Sequence, residues 1–113
     1  MDQIFQKVKH LLDEERKYRD SELTLKSMSV ALHLSPQVLS MVINQKSEMN
    51  FNSFVNRYRV NESIEHFNNP QYDNYTIASI ALEVGFNSLS SFNKAFKNQV
   101  GQTPLTYRQQ LTK

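Results

Sequence analysis

The sequence predicts an all-α domain of seven helices, arranged as two helix-turn-helix units joined by a long linker helix. Three observations carry that expectation. Apolar residues recur at helical spacing along most of the chain, and no stretch shows the alternation of a half-buried strand. Only two Gly and three Pro occur in 113 residues, too few for the tight turns of a β-rich fold. The chain also repeats itself. Ser29, His33 and Leu34 align with Ala81, Gly85 and Phe86 at an offset of 52, and Leu39 and Ile43 align with Phe92 and Phe96 at an offset of 53. One inserted residue after the turn accounts for the change of offset.

Each element has a local reason. Ile4, Phe5, Val8, Leu11 and Leu12 form one apolar stripe and predict a first helix over about Gln3–Lys17, with Asp13–Asp20 as a solvated charged run. Thr24 is an N-cap ahead of Leu25, Met28 and Leu32, and that short helix is expected to end near Leu32–His33. Ser35-Pro36 restarts a helix, with Ser as N-cap and Pro at the first helical position. Leu39, Val42 and Ile43 give it a buried side up to about Asn44. Asn50 or Asn52 caps the linker helix, expected over about 52–68 with Phe54, Val55, Tyr58, Val60, Ile64 and Phe67 on its apolar face. Asn69-Pro70 stops it.

Thr76 caps the next helix, which carries Ile77, Ile80, Ala81 and Val84. Gly85 is the turn, and Asn87 or Ser88 caps a helix with Phe92, Ala95 and Phe96 inside. Gly101 is expected to end that helix in the left-handed conformation. Thr103-Pro104 starts a last short helix with Leu105, Tyr107 and Leu111.

Both copies of the repeat read as helix, three-residue turn, helix, over about 25–44 and 77–98. The small residue, Ser29 or Ala81, sits where the two helices cross. Four positions later comes a residue that must take positive φ. Gly85 does so without strain, and His is among the residues enriched there, which suits His33.

Composition excludes much. With 39% apolar and 21% charged residues, the chain is an ordinary globular domain. It has no Cys, and so no disulfide, thiolate metal site or Cys nucleophile. His10, His33 and His66 are too scattered for a metal centre, and no metal, cofactor or catalytic group is expected. Ser91 and Lys94 match a Ser-x-x-Lys motif whose companion elements are missing. No apolar run approaches 18 residues and no signal-peptide core is visible, so the expected compartment is the cytoplasm, without membrane contact. Net charge is +2, but residues 84–113 hold Lys94, Lys97, Arg108 and Lys113 with no acid at all.

The run from Ile80 to Lys97 is the strongest signal. Within it Ala81, Gly85-Phe86, Ser88, Phe92 and Phe96-Lys97 stand in order, followed by Gly101, Pro104 and Tyr107-Arg108. At this spacing the chain closely resembles the AraC/XylS family of bacterial transcription regulators, over about Leu25 to Gln109. The resemblance implies two helix-turn-helix subdomains, each placing its second helix in the major groove of double-stranded DNA.

Carried across residue by residue, the family's base-reading positions fall on Gln37, Ser40 and Met41 in the first unit. In the second they fall on Leu89, Ser90, Asn93 and Lys94. Leu89 has a competing reading as core, three residues before Phe92. The residue types suit the task. Gln and Asn can pair bidentately with adenine, Lys can reach guanine or phosphate, and Met can touch a thymine methyl. Ser35, Asn87 and Ser88 are capping residues able to face phosphate as well, and Lys97 suits the same role. Arg57 is a further phosphate candidate. Arg59 and Arg108 could meet phosphate as well, but are expected rather to hold helix junctions by pairing with carboxylates or carbonyls.

Two recognition helices one turn of DNA apart, roughly 34 Å, fit this arrangement. A linker helix of roughly 25 Å would set their separation. The resemblance further implies contact with RNA polymerase, or occlusion of its site, and a sensing or dimerisation domain that does not fit in this chain. The chain is thus expected to be either an excised C-terminal module or a stand-alone regulator. A helical bundle serving protein–protein interaction is the competing class. Steep salt dependence of DNA binding separates the two.

Overall fold

The computed structural model describes residues 2–111. Among them are seven α-helices and no strand: α1 Asp2–Asp13, α2 Leu25–Ala31, α3 Pro36–Ser47, α4 Phe51–Phe67, α5 Ile77–Glu83, α6 Leu89–Val100 and α7 Pro104–Gln110. Single 3-10 turns lie at Lys17–Arg19 and Pro70–Tyr72. The chain divides into two compact units, one up to Asn56 and one from Arg57 onward, and the division falls within α4.

The repeat is exact enough to extend to hydrogen bonds. Thr24 and Thr76 cap α2 and α5, each hydroxyl oxygen accepting from the backbone N–H three residues on. Ser35 and Ser88 do the same for α3 and α6. Each such cap is worth about 1 kcal/mol. The turns match as well. His33 N–H donates to Val30 O and Leu34 N–H to Ser29 O, while Gly85 N–H donates to Leu82 O and Phe86 N–H to Ala81 O. This is the Schellman pattern, with His33 at φ 58° and Gly85 at φ 112° in the left-handed position. At the crossing, Ser29 and Ala81 are both buried. The extra hydroxyl of Ser29 is satisfied by donating to Lys26 O at 2.7 Å, so a polar residue is tolerated where the second copy has alanine.

In the first unit Val8 and Leu12 of α1, Met28 of α2, and Leu39, Val42 and Ile43 of α3 are buried. Phe5 packs on Phe54 of α4 with ring centroids 5.8 Å apart. Helix α1 ends at Asp13, four residues before the sequence expectation. Leu12 is the last residue of its apolar stripe, and Asp13, Glu14 and Glu15 set three like charges at the negative end of the helix dipole. The chain turns at Arg16, φ 53°, and buries Tyr18. Helix α3 runs three residues beyond the expected Asn44. Ser47 Oγ donates back to Ile43 O at 2.6 Å, Lys46 in the last turn pairs with Asp2 of α1, and Glu48 closes the helix at φ 62°.

The second unit is an aromatic core. Phe67, Phe86, Phe92 and Phe96 cluster with Val60, Ile80, Ala81 and Val84, and Ile77, Ala95 and Tyr107 pack against them. Phe96 meets Phe92 and Tyr107 edge-on, each at 5.6 Å. Gly101 caps α6 at φ 93°, where an added Cβ would meet nothing within 4 Å. Pro104 begins α7 behind its N-cap Thr103.

Arg108 acts as expected of a junction residue. Its Nη2 donates to the carbonyls of Tyr72 and Asp73 at 3.1 and 3.0 Å, and its guanidinium lies 5.6 Å from the Phe67 ring centre. Arg59 stacks over Phe86 at 5.7 Å. The two open caps are also settled: Asn50 caps α4, its Oδ1 accepting from Ser53 N–H at 2.8 Å, and Ser88 rather than Asn87 caps α6.

Candidate nucleic-acid interface

A recognition helix needs one apolar side to fix it and one polar side to meet base edges. Helix α6 divides in this way. Phe92 and Phe96, one turn apart, are fully buried, while Ser90, Asn93, Lys94 and Lys97 are exposed at helical spacing. Leu89 is 45% exposed, so it is not core. It is the first helical residue of α6. Ser88 spends its hydroxyl on Ser91 N–H at 3.1 Å, leaving the other first-turn N–H groups of α6 to face outward. Asn87 lies exposed just before it.

Helix α3 is built the same way with different chemistry. Leu39, Val42 and Ile43 are buried, Gln37 and Met41 are exposed, and Ser40 is half-buried. Ser35 Oγ accepts from Val38 N–H at 3.2 Å. Gln37, Ser40 and Met41 come together around a shallow hollow completed by Leu25 and Pro36. The sequence named Leu25 only as the first apolar residue of the helix that Thr24 caps. Its part in the hollow depends on how α2 and α3 meet, which no local pattern encodes.

The electrostatics of the two helices differ. Lys94 and Lys97 on α6 form no ion pair among the described residues, and no acid follows Glu83 in the chain. The single charged residue of α3, Lys46, is engaged by Asp2. Among the described residues no cluster of side chains could hold a metal ion, and no helix is long and apolar enough to cross a membrane.

Residues 28–110 match the sequence profile of a family described as a helix-turn-helix domain. The chain belongs to the AraC-type helix-turn-helix family. AraC-type domains are sequence-specific DNA-binding modules of transcription regulators, and they are not enzymes. This AraC-type chain is 33% identical over 90 residues to the regulatory protein PocR of Salmonella typhimurium, covering 80% of this chain and 29% of that one. It spans less than a third of the length of the curated relatives it matches first, PocR and the msm operon regulatory protein of Streptococcus mutans.

Among solved structures it resembles the C-terminal domain of AraT, a response regulator from Geobacillus stearothermophilus. The TM-score is 0.77 at 28% identity, over 87% of this chain and 78% of that one. The fold alone is shared with the DNA-binding domain of AdpA, solved in complex with a target DNA. There the TM-score is 0.78 at 15% identity, over 95% of this chain and 90% of that one.

Proposed function

We propose that α3 and α6 are the two recognition helices of one DNA-reading module, each lying in a segment of the major groove. Gln37, Ser40 and Met41 read bases in the first unit, and Leu89, Ser90, Asn93 and Lys94 in the second. Ser35, Asn87, Ser88 and Lys97 meet phosphate. The observation that carries this reading is the division of α6. Two buried phenylalanines hold the helix rigidly, and the face opposite them offers an amide, a hydroxyl and two cations without internal partners among the described residues. A polar face of that kind matches what base edges and phosphates require.

The module works in the cytoplasm within a longer regulator, whose remaining part senses a signal or dimerises. Occupancy of the operator controls transcription through RNA polymerase, by contact or by occlusion. The test is titration of the chain against a duplex selected from a random pool, at stepped salt. Binding is expected to weaken linearly on logarithmic axes by about 0.9 units per phosphate contact. The selected duplex is expected to be favoured at least about a thousandfold over scrambled sequence. Salt-independent association, or equal affinity for both duplexes, would defeat the proposal.

A further inference from the structure

The hollow on α3 calls for an occupant that the charge pattern helps to identify. It is lined by Leu25, Pro36, Gln37, Ser40 and Met41, and the lining surface is mostly apolar. It is shallow and open to solvent, so it cannot enclose a small molecule as a ligand pocket does. It lies on the same exposed face of α3 as the base-reading positions. Guanine is most often read by Arg or Lys at its O6 and N7. The only cation of α3 stands in the last turn and is paired with Asp2.

Among the base edges of the major groove, the one apolar group is the C5-methyl of thymine. We propose that this hollow seats the methyl group of a thymine, with Met41 as its principal contact, while Gln37 beside it pairs with an adenine. The first unit thereby reads A·T pairs by shape and methyl content.

The second unit presents different residue types at the equivalent positions. There the residue in register with Met41 is Lys94, and the one in register with Pro36 is Leu89. The two halves of the repeat have diverged at the position where one presents a thioether and the other a cation. This inference rests on α3 being a recognition helix, and its test separates the two claims.

The duplex selected by the full chain is prepared with each thymine singly replaced by deoxyuridine. That change removes the methyl and leaves pairing and the O4 acceptor intact. Competition binding is measured for the wild type, Met41→Ala and Met41→Leu. One thymine is expected to cost about fourfold in affinity when its methyl is removed, as for one buried methyl-sized group. Met41→Ala should bind the thymine and deoxyuridine duplexes equally at that position, and Met41→Leu should restore the difference. Met41 is 45% exposed, so both variants are expected to melt like the wild type.

The proposal is overturned if every deoxyuridine duplex binds like the parent. It is equally overturned if the loss persists unchanged in Met41→Ala, which would place the methyl contact elsewhere. Failure of the wild type to bind any duplex saturably would instead remove the recognition-helix reading, and this inference with it.

Discussion

His33 and Gly85 occupy the same place in two turns 52 residues apart, both in the left-handed region, at φ 58° and 112°. Each is followed by a residue whose N–H returns to the small residue at the helix crossing, Ser29 in one turn and Ala81 in the other. The identical bonds mean that the turn geometry is set by the repeat and not by the residue that fills it. A non-glycine there carries strain that the capping bonds offset.

The first prediction follows from that pair. His33→Gly is expected to be neutral or to stabilise slightly, because relief of strain at positive φ works against the added chain entropy of glycine. Gly85→Val is expected to lower stability by about 1–3 kcal/mol or more, since a β-branched residue is a true outlier at that φ. Thermal melts of the two variants check this. A Gly85→Val protein that melts like the wild type would contradict the geometry.

Reading and anchoring on α6 should separate cleanly. Phe96→Ala is expected to cost about 3–5 kcal/mol by opening a cavity among Phe67, Phe92 and Tyr107. Asn93→Ala should leave the melt within about 0.5 kcal/mol, and weaken the selected duplex by about 1–3 kcal/mol with little change on scrambled DNA. Lys97→Ala should weaken both duplexes and lower the salt slope by about one. Paired salt titrations decide it, and equal losses on both duplexes for Asn93→Ala would remove Asn93 from the readers.

The neutral character of α3 leads to a third expectation. Gln37→Ala should cost less affinity than Lys94→Ala, because the first helix offers hydrogen bonds and apolar contact while Lys94 adds charge. The salt slope should stay constant for Gln37→Ala and fall for Lys94→Ala if Lys94 meets phosphate as well as base. Competition assays on one selected duplex give the ranking, and a larger loss for Gln37→Ala would make the first helix the main reader.

What was legible in the chain is what depends on near neighbours. Caps at Thr24, Ser35, Thr76, Ser88 and Thr103, and left-handed residues at His33, Gly85 and Gly101, are decided within five residues, and each stands where its neighbours put it. The conspicuous motif of the C-terminal third is largely this local grammar together with the aromatic core it folds around.

What was not legible depends on distant partners. The role of Arg108 was foreseeable from its type, but not its carbonyl acceptors 36 and 35 residues away. The end of α3 brings Lys46 to Asp2, a partner 44 residues away in the chain. The position of Leu89 was ambiguous because spacing alone allows a first-turn residue to face either way. On the exposed face of α3 the residue types suggest chemistry, but the hollow arises only where two helices meet.

At Gly101 the space that an added Cβ would occupy is empty, yet the backbone stands at φ 93°. The position is therefore selective for handedness although a Cβ there would meet nothing. A mirror-image alanine would take that torsion without strain, where its natural enantiomer could not. The end of α6 thus excludes a methyl group that it has ample room to hold, for no reason but the chirality of the chain that would carry it.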